Sequence, residues 1–284
     1  MAIHEETAIK VAVKVEKRRH LKQLKHEYNV YTNLYDGSTD FLPRVYGYRE
    51  FFLNDEPVNG MFMDLLGYSL QELFDFCEKR FTLKTVLMLG EMILSRIEYV
   101  HFKNYIHRDI KPDNFVFGKE EHCKGKLFII DFGLAKLYRN PYTFAHIPPK
   151  QGKSLTGTAR YASLNAHLGY EQGRRDDLES LAYCLIFFMK GRLPWQGLPG
   201  ASKKEKYKNI CEMKERISVR ELCEGLPSVF SKFLHYIKGL SFEEMPSYLY
   251  LKNLFVSAIR EHKIVNDGNF DWMIKRDLMR RDRL

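Results

Sequence analysis

His107-Arg108-Asp109-Ile110-Lys111-Pro112-Asp113-Asn114 is the stretch from which the rest of the chain can be read. It brings a carboxylate, a cation and an amide into the six residues from Asp109 to Asn114. The apolar pair Tyr105-Ile106 precedes it, and Phe115-Val116-Phe117 follows. Short apolar runs on either side of a polar bend read as two strands flanking a turn. Pro112 fixes φ at the bend, and Asp113 can bond its own backbone. The turn is therefore braced and projects three functional groups in one direction.

Seventeen residues past Asn114 stands Asp131-Phe132-Gly133, behind the apolar run Leu127-Phe128-Ile129-Ile130. H-R-D-x-x-x-x-N followed by D-F-G, each at a strand exit, matches the protein-kinase signature. D-F-G alone recurs by chance, whereas the two motifs at this spacing are hard to explain otherwise. The chemistry accounts for the residue types. Phosphoryl transfer passes through a loose transition state, in which the protein mainly positions groups and neutralises charge. Asp109 can accept the proton of an attacking hydroxyl. Asn114 and Asp131 offer the hard oxygen ligands that Mg²⁺ prefers. Lys111 sets a cation beside the phosphate in transit, and a lysine there resembles serine/threonine rather than tyrosine kinases. The catalytic candidates are thus Asp109, Lys111 and Asn114, and the metal candidates Asn114 and Asp131.

Toward the N-terminus, Ala12-Val13-Lys14-Val15-Glu16 reads as a strand. Val-Ala-Val-Lys resembles the V-A-I-K strand whose lysine holds the α- and β-phosphates. Lys14 is the first choice for that lysine, with Lys10 in Ala8-Ile9-Lys10 as runner-up. The basic segment Lys17, Arg18, Arg19, Lys22, Lys25 begins a helix, in which Leu24, Tyr28, Tyr31 and Leu34 form an apolar face. Glu27, beside that stripe, is the candidate partner for the strand lysine. Arg44 to Phe52 and Asn59 to Asp64 read as strands, with Asp55-Glu56-Pro57 in the loop between them. Ser69-Leu70-Gln71-Glu72 is a capping box that opens a short helix. Thr82 to Phe102 is the longest helix, with Leu83, Val86, Leu87, Ile93, Leu94, Ile97 and Val100 as its core face. A long polar loop covers residues 136 to 160. A nearly all-apolar helix follows from Leu178 to Phe188, with Asp177 as its N-cap. Helical pieces from Lys203 are separated by Gly225-Leu226-Pro227 and Met245-Pro246, and a charged, disordered tail runs from Lys275 to Leu284.

The chain's 284 residues suit one two-lobed enzyme or two small domains, and 45% hydrophobic content supplies a core. A net charge of +9 suits an anionic partner without choosing among nucleic acid, membrane surface and acidic peptide. The five cysteines form no C-x-x-C pair and are odd in number, which favours reduced thiols inside a cell over a disulfide framework. No signal-peptide character marks the first residues, and Leu181 to Met189 is too short to span a bilayer. The expectation is a cytoplasmic or nuclear protein with no specific nucleic-acid partner and no membrane span.

Three further stretches carry a family likeness. They are Leu155-Thr156-Gly157-Thr158-Ala159-Arg160-Tyr161-Ala162-Ser163, Gly173-Arg174-Arg175-Asp176-Asp177-Leu178-Glu179-Ser180 and Leu193-Pro194-Trp195-Gln196-Gly197-Leu198. Ser163-Leu164-Asn165 stands where most kinases carry Ala-Pro-Glu. With these, the sequence from about Thr7 to about Met273 resembles the casein kinase 1 family of serine/threonine kinases. The resemblance implies an α+β, bilobal kinase fold with ATP and Mg²⁺ in the cleft. It implies a β-rich N-lobe over residues 1–66, a mainly α-helical C-lobe over 67–274 and the tail over 275–284. ATP would touch Lys14, Glu27, Asp131 and the hinge residues Asp64 and Leu66, with Met63 guarding the back pocket. Substrates would be acidic or already phosphorylated proteins, read by an anion site of Arg160, Gly197 and Lys206. The likeness breaks at the N-terminus. Its first glycine is Gly37, after Lys14, so the glycine-rich loop and its strands are expected to be absent and the N-lobe truncated. The alternatives are a pseudokinase or peptide-binding module with weak or no ATP turnover, and a nucleic-acid binder favoured by charge alone.

Overall fold

The computed structural model describes residues 2–3, 10–17, 23–37, 39–119, 123 and 125–281. The readings that fall on Ala8, Ile9, Arg18, Arg19, Lys22 and the last three residues lie outside these. The chain packs as two compact units, Met1–Leu70 with Asp113–Ala135, and Gln71–Pro112 with Lys136–Leu284. The first is sheet-rich and the second helical, an α+β architecture.

In the first unit, β1 (Ala2–Ile3) and β2 (Lys10–Lys17) lead to α1 (Gln23–Leu34), β3 (Val45–Leu53) and β4 (Glu56–Asp64). The strands form one antiparallel sheet in the order β1-β2-β4-β3. Alternating apolar residues in β2 suit a pleated surface, and the register sets Lys14 opposite Met61. One strand ahead of Lys14 is present after all, because Ala2 and Ile3 pair with Val11 and Lys10. On α1 the buried residues are Leu24, Glu27, Val30, Tyr31 and Leu34, spaced to share one face. Glu27 therefore lies within the stripe, while Tyr28 is only half-buried at its edge. The carboxylate tolerates this position because a cation meets it there. Asn54 and Asp55, with φ of 49° and 61°, make a two-residue hairpin turn. Glu56 and Pro57 consequently belong to β4 instead of the expected loop. Pro57 is tolerated because β2 pairing begins only at Val58.

The helical unit begins with α2 (Leu70–Phe76), whose first residue ends the sheet-rich unit's first segment, and α3 (Leu83–Phe102), capped by Thr82. β5 (Tyr105–Ile106) follows in this unit; the 3₁₀ turn (Pro112–Asn114) leads into the sheet-rich unit's β6 (Phe115–Phe117) and β7 (Leu127–Ile129), and β8 (Lys136–Leu137) belongs to the helical unit again. The strands expected around the polar turn form, yet each finds another partner: β5 pairs with β8 and β6 with β7. α4 (Leu164–His167) and α5 (Arg174–Lys190) come next. They are followed by α6 (Lys203–Arg216), α7 (Val219–Leu222), α8 (Ser228–Gly239), α9 (Tyr248–Glu261) and α10 (Asp271–Arg281).

Two expectations are corrected here. α5 begins at Arg174, because the Gly173 N–H donates to the Asp176 carboxylate at 2.7 Å and closes a capping arrangement. Asp177 is thus inside the helix and caps nothing. The tail from Lys275 is not disordered as far as Arg281; it continues α10, whose Trp272 stacks on Phe270 at 4.6 Å and meets Phe81 at 5.5 Å. Among the described residues no helix is long and apolar enough to cross a membrane. No disulfide joins the five cysteines.

Candidate active site

The first cluster lies in the sheet-rich unit. β2 presents Lys14, whose Nζ donates to Glu27 Oε2 on α1 at 2.7 Å and to Asp131 Oδ1 at 2.9 Å. Between the two lysines weighed from the sequence, the ion pair falls to Lys14, and Lys10 is exposed earlier on the same strand. Burial alone lowers the Lys14 pKa, but the two carboxylates more than reverse this and hold the ammonium above its ordinary value. Burial outweighs the lysine at Glu27, whose carboxyl is raised. A cavity of about 450 Å³ opens beside these groups, lined by Lys14, Glu16, Gln23, Glu27 and Asp131 among others.

Asp131 is held from its backbone. Its φ of 67° is left-handed, a strained setting typical of functional positions. Its N–H donates to the Tyr31 hydroxyl at 3.1 Å, and Phe132, fully buried, meets the Tyr31 ring edge-on at 4.9 Å. A Cβ on Gly133 would stand 3.4 Å from Asp131 Oδ1 and 3.6 Å from Glu27 Oε2. Buried Asn114 accepts the Ile130 N–H at 2.9 Å through its backbone carbonyl, so the segments carrying Asn114 and Asp131 run side by side. Among the described residues no cluster of three acidic, histidine or cysteine side chains could hold a metal. A carboxylate and an amide nevertheless fit Mg²⁺, which completes its shell with water and phosphate oxygens. At the end of β4, the Asp64 carboxylate accepts from the Arg44 N–H and the Tyr46 hydroxyl, both at 2.7 Å, and Leu66 is half-buried.

The second cluster lies in the helical unit. Asp109 is 8% exposed. Its Oδ1 accepts from the Thr158 N–H and hydroxyl, both at 2.8 Å, and its Oδ2 from Lys111 Nζ at 2.6 Å. Arg108 has φ of 66°, and its carbonyl lies where a Cβ on Gly157 would stand; Gly157 itself has φ of +93°. Two residues missed by sequence reasoning complete this cluster. Thr158 was part of a stretch noted only for its likeness. Asp177 was read as a cap, but its buried carboxylate accepts from the His107 N–H at 2.7 Å, the Arg108 N–H at 2.8 Å and His101 Nε2 at 2.9 Å. No local pattern distinguishes a helix-interior aspartate that braces a remote loop. Burial alone would raise the Asp177 carboxyl, but these donors hold it low, while burial keeps His101 below its ordinary value.

Of the expected anion-site residues, Arg160 and Lys206 are exposed and Gly197 has φ of +77°. The Arg160 carbonyl accepts Trp195 Nε1 at 2.7 Å, which brings its segment beside the turn that carries Gly197.

Residues 1–246 match the protein kinase domain family. A probable casein kinase I homolog of Encephalitozoon cuniculi is 53% identical over 265 residues, which cover 93% of this chain and 85% of that protein. Casein kinase I homolog 2 of Schizosaccharomyces pombe is 45% identical over 269 residues, covering 94% of this chain and 60% of that protein. A kinase domain across most of the length, together with identity at this level along nearly the whole chain, makes it a member of the casein kinase I family of serine/threonine protein kinases.

Proposed function

We propose that the chain transfers the terminal phosphoryl group of ATP to serine or threonine hydroxyls of acidic or already phosphorylated proteins, with Asp109 as the base. The observation that carries this reading is the Lys14 ammonium held between Glu27 and Asp131, the pair a kinase needs to fix ATP phosphates. Lys14 grips the phosphates, and Glu27 keeps it aimed. The stretch from Asp64 to Leu66 contacts the adenine. With the Asp64 carboxylate occupied by Arg44 and Tyr46, backbone groups there make that contact. Asp109 orients the substrate hydroxyl and takes its proton, and Lys111 steadies the charge beside it. Mg²⁺ held by Asp131 and Asn114 would neutralise phosphate charge. Arg160, Lys206 and the backbone at Gly197 read a phosphate or carboxylate on the substrate through charge-assisted hydrogen bonds.

A second reading is a peptide-binding module that turns ATP over weakly. Casein phosphorylation by wild type, Asp109→Asn and Asp131→Asn, beside nucleotide titration by calorimetry, separates them. The kinase reading expects Asp109→Asn to lose at least about 10²-fold in kcat, the scale of a lost general base, and Asp131→Asn to lose most of its activity with a metal ligand gone. An active wild type with either variant retaining most of its rate refutes the residue assignment. Undetectable binding at millimolar Mg-ATP supports the second reading.

A further inference from the structure

We propose that Lys214 is the positioning residue of the substrate anion site, a buried ammonium that ties together the three segments carrying Arg160, Gly197 and Lys206. The proposal rests on the anion-site reading above and names what holds that site in shape.

Lys214 lies toward the end of α6 and is 1% exposed. Its Nζ donates to the Ala159 carbonyl at 3.0 Å and the Ala162 carbonyl at 2.5 Å, and faces His167 Nε2 at 3.4 Å. The rings of Tyr183 and Trp195 enclose it, with centroids 4.9 and 4.8 Å from the nitrogen. Glu179, the acidic group that acts on it, accepts bonds elsewhere, from the Tyr183 hydroxyl at 2.5 Å and the Leu164 N–H at 3.0 Å. A lysine in an aromatic box, bonded mainly to neutral carbonyls, is expensive to bury. Burial accordingly pulls its pKa down to about 7.

What distinguishes Lys214 is where its bonds go. The Ala159 and Ala162 carbonyls bracket Arg160. The Tyr161 and Ala162 N–H groups both donate to the Thr158 carbonyl at 2.9 Å, so this is a tight turn with its inner carbonyls held by one ammonium. The Arg160 carbonyl is taken by Trp195 Nε1 at 2.7 Å, and the Trp195 ring is the one beside Lys214. With the carbonyls of Ala159, Arg160 and Ala162 anchored inward, the Arg160 side chain is left on the surface, over the Tyr161 and Phe187 rings. Two residues past Trp195 comes Gly197, and eight residues before Lys214 on α6 comes Lys206. One buried nitrogen therefore sets the placement of all three anion-site segments without touching the anion.

The test uses the whole chain with a phospho-primed peptide and its unprimed counterpart. Lys214→Met keeps the volume and the apolar box but removes the Lys214 bond from both carbonyls, the Ala162 carbonyl losing its ammonium donor while the Ala159 carbonyl keeps His167 Nε2 at 3.0 Å. The ratio of kcat/KM for primed over unprimed peptide is expected to fall about tenfold, the size of one lost charge-assisted contact. The loss should sit in KM for the primed peptide, with KM for ATP unchanged. Trp195→Phe keeps an aromatic ring in the box but removes the bond to the Arg160 carbonyl, and should lower the same ratio about threefold, a smaller effect because one anchor of three is lost. Arg160→Ala is measured alongside. If Arg160→Ala leaves the ratio intact, the anion-site reading and this proposal both fall. If Arg160→Ala lowers the ratio but Lys214→Met and Trp195→Phe keep it, the anion site stands and the positioning role is overturned. Equal losses on both peptides, or a raised KM for ATP, would also overturn it, since a merely structural lysine predicts that pattern. Should Lys214→Met fail to fold, Trp195→Phe decides: an unchanged ratio refutes the role, and a lowered ratio supports it.

Discussion

Gly157 shows how narrow the tolerance is at a single position. Its φ of +93° suits glycine, and the Arg108 carbonyl occupies the space a side chain would need. Its neighbour Thr158 supplies two donors to Asp109 Oδ1. Gly157→Ala must therefore strain the backbone or displace the loop, at a cost of about 1–3 kcal/mol. We expect a lower melting temperature together with a fall in kcat beyond that explained by unfolded protein. A variant with wild-type stability and rate would show that the 156–158 turn yields without disturbing Asp109. Asp131 is a second left-handed residue, held there by the Tyr31 hydroxyl bond and the buried Phe132 ring.

At the scale of elements, α5 braces the loop bearing Asp109. Asp177 accepts from two loop N–H groups and from His101 on α3, and His101 Nδ1 in turn meets the Tyr248 hydroxyl of α9 at 2.6 Å. Asp177→Ala would strand these buried donors, and breaking such a set costs about 3–5 kcal/mol. Chemical denaturation is expected to show a loss of that order, with kcat reduced in the folded fraction. A loss below about 1 kcal/mol would mean the loop is held by other contacts. The pH dependence follows from the directions of the shifts. Burial keeps His101 neutral, so its contribution is lost as pH falls through about 6.5, where the unfolded chain takes up a proton. The depressed Asp177 carboxyl contributes above its ordinary value and is lost as pH falls through its lower folded value. The unfolding free energy of Asp177→Ala should therefore lack the most acidic part of the wild-type decline.

For the molecule as a whole, the charge of +9 acts through solvent. Long-range attraction for an acidic substrate is screened over a Debye length of about 10 Å at 0.1 M salt. KM for an acidic protein substrate is expected to rise several-fold between about 50 and about 200 mM salt, with kcat little changed. A KM independent of salt would confine substrate recognition to short-range contacts. The two compact units each hold one side-chain cluster, Lys14, Glu27 and Asp131 in one, Asp109, Lys111 and Thr158 in the other. Segment 113–135 packs with the sheet-rich unit although it lies far along the chain.

Local pattern was enough for β2, the longer helices and the polar turn at His107 to Asn114. These depend on side-chain period, caps and fixed spacing, all written within a few positions of one another. The hairpin turn at Asn54-Asp55 also had a local signal, yet Pro57 drew the boundary too late because β2 pairing, which frees it, is a long-range contact. Sequence made Lys14 the first choice over Lys10, but which of them meets a carboxylate is a tertiary fact, since both stand on one strand and α1 supplies the partner. The same holds for Asp177 and Lys214. Each is a charged residue inside a helix, where sequence predicts a solvated face. What decides their burial is a set of backbone donors or acceptors brought from distant segments, and a polar group can be buried only where the fold supplies its partners.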